Sequence, residues 1–246
     1  MFRSPLAARR RPKDEAEKPF WISYADVMTA LMVLFLVVMS VALLAVTKTV
    51  SQIEQEKAQR QDDISKLLDE VQRAADHYPG VQVDRDTDII DFGDKAQFDK
   101  GSYTLTPDQD RLLRAFVPQI LAIARDDLGR KWLKQIVVEG FASPEGDYLY
   151  NLNLSLERSQ QVLCVLFAPP FSDEVPMTEA ELEQVRDLFL VGGYSFNATK
   201  YDAVTNSFDS SRRVELRLEF LAVGEARLPA AIVPPGNFGK CALDIQ

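Results

Sequence analysis

The chain predicts a single N-terminal transmembrane helix followed by an α/β domain, an α+β sandwich of helices on one sheet. Three observations predict it. Residues 27–46 carry no charge, and as a helix they reach about 30 Å, the thickness of bilayer hydrocarbon. Residues 47–78 contain neither Pro nor Gly, which suits an unbroken helix. Beyond Pro79-Gly80, short β-branched runs alternate with amphipathic stretches, the pattern of strands interleaved with helices.

Residues 1–18 form a polar tail with Arg3, Arg9, Arg10, Arg11, Lys13 and Lys18 among Asp14, Glu15 and Glu17. By the positive-inside tendency this tail stays in the cytoplasm and everything after Val46 lies outside. A cleaved signal peptide is the alternative, but the apolar run exceeds a typical h-region and Ala45-Val46-Thr47 is a poor cleavage site. The tail either contacts anionic lipid or a cytoplasmic partner, or serves only to set topology.

Residues 19–46 are the predicted span. Asp26 sits just inside its N-terminal end. A carboxylate there costs on the order of 2.5–3.5 kcal/mol on insertion scales, so it needs a partner, a proton or a water-filled path. Its helical face carries Ser23, Thr29, Ala30, Val33, Val37 and Ser40, small and partly polar. Met28, Leu31, Phe35, Met39 and Leu43 make the bulky face, which could meet lipid or a twin helix. A small seam suits close packing against other helices. Two plainer readings of Asp26 stand beside this one: a helix N-cap, or a residue in the wet interface.

Residues 47–79 read as a helical linker with a thin stripe of Ile53, Ile64, Leu67, Leu68 and Val71. That stripe is sparse for a long coiled coil. Residues 80–222 read as the folded domain. Strands are expected at residues 81–84, 87–92, 136–140, 189–193 and 213–220. A helix starts at Thr106-Pro107, with Leu112, Leu113, Phe116, Ile120, Leu121 and Ala124 on its apolar face and Gly129 at its end. A second runs from about residue 147 to 167. A third begins at the capping signal Thr178-Glu-Ala-Glu181. Residues 223–246 form a Pro-containing tail, either lying on the domain or hanging free.

Composition excludes several classes. A net charge of −9 disfavours nucleic-acid binding. Two cysteines and one histidine cannot build the usual zinc constellations. Phosphate-loop, nucleophile-elbow and His-Glu-x-x-His motifs are absent, and no cofactor is expected. His77, near the end of a polar helical stretch, reads as a surface residue.

Two resemblances sharpen the reading. Tyr24-Ala-Asp26-Val-Met28-Thr29-Ala30-Leu-Met32 resembles the membrane segment of flagellar stator B subunits. That resemblance implies that Asp26 carries a translocated proton or sodium ion, with Thr29 able to complete an oxygen-rich site. It also implies a plug within residues 47–79. A carboxylate among apolar neighbours needs only a proton to become neutral, which favours H+ over Na+. The second motif is Gly140-Phe-Ala-Ser143-Pro-Glu-Gly146, then Tyr150, Asn151, Leu154, Ser155 and Arg158, followed later by Ser211-Arg212-Arg213-Val214-Glu215. It is similar to the signature of OmpA-like peptidoglycan-binding domains, which implies a periplasmic location.

On that resemblance the wall-binding residues are Ser143, Tyr150, Asn151, Leu154 and Arg158. Arg158 would hold a stem-peptide carboxylate by paired hydrogen bonds. Asn151 offers donor and acceptor. Tyr150 and Leu154 shape and pack the pocket floor. Ser143 stands where such domains usually carry Asp, so Glu145 or Asp147 substitutes, or affinity is lower, or the ligand differs. Arg158 as a structural bridge between loop and helix is the alternative.

The run around Asp26 looks closer still to the B components of Zorya anti-phage defence systems. This implies a MotA-like membrane subunit as partner, five A around two B, hence a homodimer, with peptidoglycan as anchor and no direct contact with nucleic acid. A flagellar-type motility stator and a passive wall-to-membrane tether are the competing functions. A wall-degrading enzyme lacks paired carboxylates in a supported cleft. The topology also places Cys164 and Cys241 in an oxidising compartment. An intrachain bond between them would fasten the tail. A buried thiol with a free Cys241, or an interchain bond, are the alternatives.

Overall fold

The computed structural model describes residues 18–227, 234, 236 and 238–245. The basic tail and part of the Pro-containing segment of residues 223–246 lie outside the described residues. The chain divides into two compact units, residues 1–57 and 58–246.

The first helix, α1 (Lys18–Ala75), is 58 residues long. In the first unit its described large apolar side chains, from Trp21 to Ile53, are exposed. Hydroxyls along it are satisfied internally: Thr29 donates to the Ala25 carbonyl at 2.7 Å and Ser40 to that of Leu36 at 2.7 Å. Such back-bonding is what a polar side chain needs in hydrocarbon. The helix begins two turns before Asp26, so the N-cap reading of Asp26 is excluded.

The second unit begins at Ala58, not at residue 80. This corrects the expected linker. Leu67, Leu68, Val71, Ala74 and Ala75 are buried in the domain core, and Ile64 packs against it. A stripe at i, i+3, i+4 and i+7 is thin because it docks on one neighbour. Ile53 stays exposed.

The sheet is built from β1 (Gln82–Asp84), β2 (Ile89–Asp91), β3 (Leu133–Gly140), β4 (Phe189–Gly193) and β5 (Val214–Phe220), in the order β1-β2-β5-β3-β4. Only β3 and β4 pair in parallel; the other neighbours are antiparallel. Helices α2 (Pro107–Arg125) and α4 (Tyr148–Phe167) cover one face. Ile90, Ile136, Val138 and Leu216 point from the sheet into the core, against Leu113, Phe116, Ile120 and Val162. The other face is a polar ladder, with Arg217 bonded to both oxygens of Glu139 at 2.7 and 3.0 Å.

Local signals explain the helix starts. Thr106 closes a capping box with Gln109, with Pro107 at the first position. Thr178 does the same with Glu181 before α5 (Glu179–Leu188). Gly129 does not end α2. That helix stops at Arg125, and Gly129 is buried within the short α3 (Asp127–Trp132).

Cys164 and Cys241 are bonded to each other, with an S–S distance of 2.03 Å. Of the three states left open, two pairings and one with free thiols, the intrachain bond is present. The described end of the tail therefore lies on the domain: Phe238 stacks on Phe167 with centroids 5.0 Å apart, and Leu243 is buried.

Candidate functional site

In the first unit the helix realises the predicted seam. Ser23, Asp26, Ala30, Val33, Val37 and Ser40 follow one another at three- and four-residue steps along one face. Thr29 lies one turn above Asp26. Its proton is used on the Ala25 carbonyl, so its lone pairs face outward as acceptors. A carboxylate and a hydroxyl oxygen on a seam of small side chains can hold a proton or a small cation.

In the second unit, the candidate site forms where β3 ends and α4 begins. Gly140 is required there. A Cβ on it would stand 1.9 Å from the Ser155 carbonyl oxygen, so only glycine lets α4 approach the strand end. The loop of residues 141–147 then leads into α4. Asn151, 2% exposed, donates its side-chain amide to the Glu145 carbonyl at 2.9 Å and pins that loop. Ser143 is buried beside it.

Arg158 is fully buried. Its Nε donates to Ser102 O at 2.9 Å, Nη1 to Phe141 O at 2.8 Å and Nη2 to Asp99 O at 3.1 Å. The guanidinium also lies 5.1 Å from the Phe98 ring centroid. Burial, then the nearby Arg212 charge, lowers its pKa to about 10, so it is still a cation at neutral pH. This corrects the expectation that Arg158 grips a ligand carboxylate. Its donors are directed at backbone carbonyls of two loops, the structural bridge weighed as the alternative.

Tyr150 is also corrected: it is 56% exposed and forms a wall rather than a floor. Leu154 is buried and does pack the floor. The structure thus brings Ser143, Asn151, Leu154 and Arg158 together beneath an exposed Tyr150.

Sequence reasoning gave no site role to the rim's cations, Lys100 and Arg212. Arg212 was visible only as part of the Ser211-Arg212-Arg213 motif. Lys100 had no signal, because its loop reaches the site through Arg158 from more than fifty positions away. Glu145, one of two candidates to replace the missing Asp, lies on the same rim. Its carboxyl is held below the ordinary range chiefly by the Ser143 hydroxyl, with Lys100 and Arg212 adding positive field.

A family model described as the membrane MotB of the proton-channel complex MotA/MotB matches residues 8–59. The chain is 42% identical over 228 residues to Zorya protein ZorB of Escherichia coli O139:H28 (strain E24377A / ETEC), covering 92% of this chain and 91% of that one. The chain belongs to the ZorB family. The match with ZorB leaves less than a tenth of either chain uncovered, so it runs through both the span and the domain. Among solved structures, a putative MotB-like protein from Desulfovibrio vulgaris is 16% identical, with 68% of this chain and 99% of that one covered at a TM-score of 0.45. The OmpA-like domain of FopA1 from Francisella tularensis subsp. tularensis SCHU S4 is 17% identical, covering 58% of this chain and 82% of that one at a TM-score of 0.35.

Proposed function

We propose that this ZorB-family protein is the B subunit of an ion-driven membrane motor in an anti-phage defence system. It is not an enzyme on this reading. The observation that carries the proposal is Asp26: one carboxylate, two turns inside the helix, on a seam of small residues within an otherwise uncharged span. A passive tether has no use for an acid there, because its insertion cost brings no compensating role. Asp26 takes up an ion from one side, is neutralised, and releases it on the other. The ion is a proton, since protonation alone neutralises the group; Thr29 adds the oxygen that a sodium ion would need.

The span crosses the inner membrane once, with the N-terminus in the cytoplasm and the α/β domain in the periplasm. The partner is a MotA-like membrane subunit, five copies around two of this chain, which pair as a homodimer. The domain grips peptidoglycan and so holds this chain still while the partner moves. The rim of Tyr150, Glu145, Lys100 and Arg212 is the contact surface, with Arg158 and Asn151 fixing its loops from below.

Replacing Asp26 by Asn tests the ion-carrying role. The amide is nearly isosteric and cannot cycle between charged and neutral forms. Expression and assembly with the partner should be unchanged, and plaque counts on cells carrying the complete system should rise to those of unprotected cells. Undiminished protection by Asp26→Asn would overturn the ion-relay reading and leave a passive tether.

A further inference from the structure

We infer that a groove at the end of the domain where α1 enters binds an anionic phospholipid, with an acyl chain on an apolar floor and the phosphate among arginines. The inference goes beyond wall binding and rests only on the single-span reading above.

The groove holds about 920 Å³ and lies wholly in the second unit, between the end of α2, α5, the first residues of β3 and β4, and residues 221–227. That volume is in the range of ligand pockets. Lys134 lines it, six positions before Gly140 along β3, so it stands about 20 Å from the candidate wall site. Leu221 also lines it, and the Leu221 carbonyl accepts from Arg60 Nε at 2.7 Å. Arg60 is the third residue of the second unit, so the groove sits where the chain arrives from its apolar run. Only residues 47–57 separate that run from the unit. Fully extended, they reach roughly 40 Å. A site on so short a tether meets bilayer lipid at a high effective concentration, an advantage that a soluble ligand lacks.

The lining has two kinds of surface. Leu188, Leu190 and Leu221, with Ala124, form an apolar floor. Leu190 is 49% exposed, an aliphatic side chain left open beside charged ones. The rim carries Arg125, Arg130, Lys134, Arg186 and Arg227 against three acids, on a chain whose net charge is −9. Four of these cations already face an acid. Lys134 meets Glu225 at 2.7 Å, Arg186 Nε meets Asp187 at 2.8 Å, Arg130 meets Asp127 at 2.8 Å and Arg125 meets Glu181 at 3.5 Å. Exposed and half-exposed pairs of this kind are worth little and give way to a better partner. Two donors have no such claim on them. Arg227 bonds the Gly129 and Leu133 carbonyls, and its charge meets no acid among the described residues. Arg186 Nη1 is buried without an acceptor among the described residues, an unmet donor at the groove wall that a ligand oxygen satisfies.

The two surfaces together select the ligand. A free phosphate leaves the floor bare. A zwitterionic headgroup leaves the Arg227 charge unmatched. A phospholipid with net negative charge uses both floor and rim. Bound there, it fastens one end of β3 to the bilayer surface and leaves the Gly140 end for the wall.

The test uses the full chain in phosphatidylcholine nanodiscs doped with phosphatidylglycerol that carries a photoactivatable acyl chain, with peptide mapping of the adducts. Adducts should form on the span of α1 and on residues 180–190. The same photoactivatable chain on phosphatidylcholine should label residues 180–190 at least fivefold less and the span equally. Arg186→Gln should lower labelling of residues 180–190 at least fivefold. So should Leu190→Glu, which puts a like charge on the floor at a half-exposed position. Excess inorganic phosphate should leave the labelling in place. Labelling confined to the span, equal labelling by both lipids, two variants that label like the parent, or full displacement by inorganic phosphate would each overturn the inference. A chain that takes no label in its span removes the single-span reading and this inference with it. Sedimentation with sacculi measures wall binding separately, so its failure leaves the lipid site standing.

Discussion

Asp63 is the point at which the end of α1 is locked onto the domain by charge rather than by apolar packing. Its carboxylate is 5% exposed. It accepts from Lys131 Nζ at 2.8 Å, Trp132 Nε1 at 2.9 Å and, within its own helix, Gln59 at 2.8 Å. Arg60 reinforces the lock by donating to the Leu221 carbonyl at 2.7 Å. The hydrogen bonds from Lys131, Trp132 and Gln59, in that order, lower the Asp63 pKa from 3.8 to about 2. A shift of that size corresponds to roughly 2–2.5 kcal/mol of preference for the folded state. Lys131 is half exposed, so water screens part of this and about 1–2 kcal/mol remains.

Asp63→Asn keeps the shape and removes the charge. A depressed carboxylate pKa contributes stability above the unfolded value of 3.8 and loses it as pH falls toward about 2. The variant should therefore unfold about 1–2 kcal/mol more easily at pH 7, and the gap should close between pH 4 and pH 2. Denaturant titration of the full chain in detergent measures this, with Trp132 fluorescence reporting the lock itself. Equal stability at pH 7, or a gap that persists unchanged at pH 2, would refute the account of Asp63.

Arg158→Ala removes three hydrogen bonds to buried or half-buried carbonyls and should cost roughly 3–5 kcal/mol in denaturant unfolding. A variant of full stability that fails to bind sacculi would return Arg158 to the ligand surface. Cys241→Ser opens a closure spanning 77 positions, and in the loop-entropy model the domain should lose up to about 4 kcal/mol. In the parent, thiol labelling of unfolded, unreduced protein should find no free thiol, and two labelled thiols would exclude the bond.

The parts of the fold legible in the sequence are those set by short-range chemistry. The uncharged run at residues 27–46, the capping boxes at Thr106 and Thr178, and the break at Pro79-Gly80 depend only on neighbours within a few positions. What sequence could not supply were partners. The stripe of Ile64, Leu67, Leu68 and Val71 is the same pattern whether it docks on a domain or forms one side of a linker. The burial of Leu67, Leu68 and Val71 in the domain core and the placement of Asp63 against Lys131 and Trp132 distinguish the two.

Tyr150 and Leu154 show the same limit within the site. They are four positions apart on α4 and so share a face, which made a common role as pocket floor the natural reading. Yet Leu154 is 6% exposed and Tyr150 56%. The difference is position along the helix: Leu154 lies over the sheet, while Tyr150 is in the first turn, beyond the end of β3, where no layer remains to cover it. Helix periodicity gives the direction of a side chain but not where the neighbouring layer stops. That overhang turns a would-be core tyrosine into the wall between the two loops. For the same reason Lys100 comes to the site only through Arg158, which ties its neighbours Asp99 and Ser102 to Phe141.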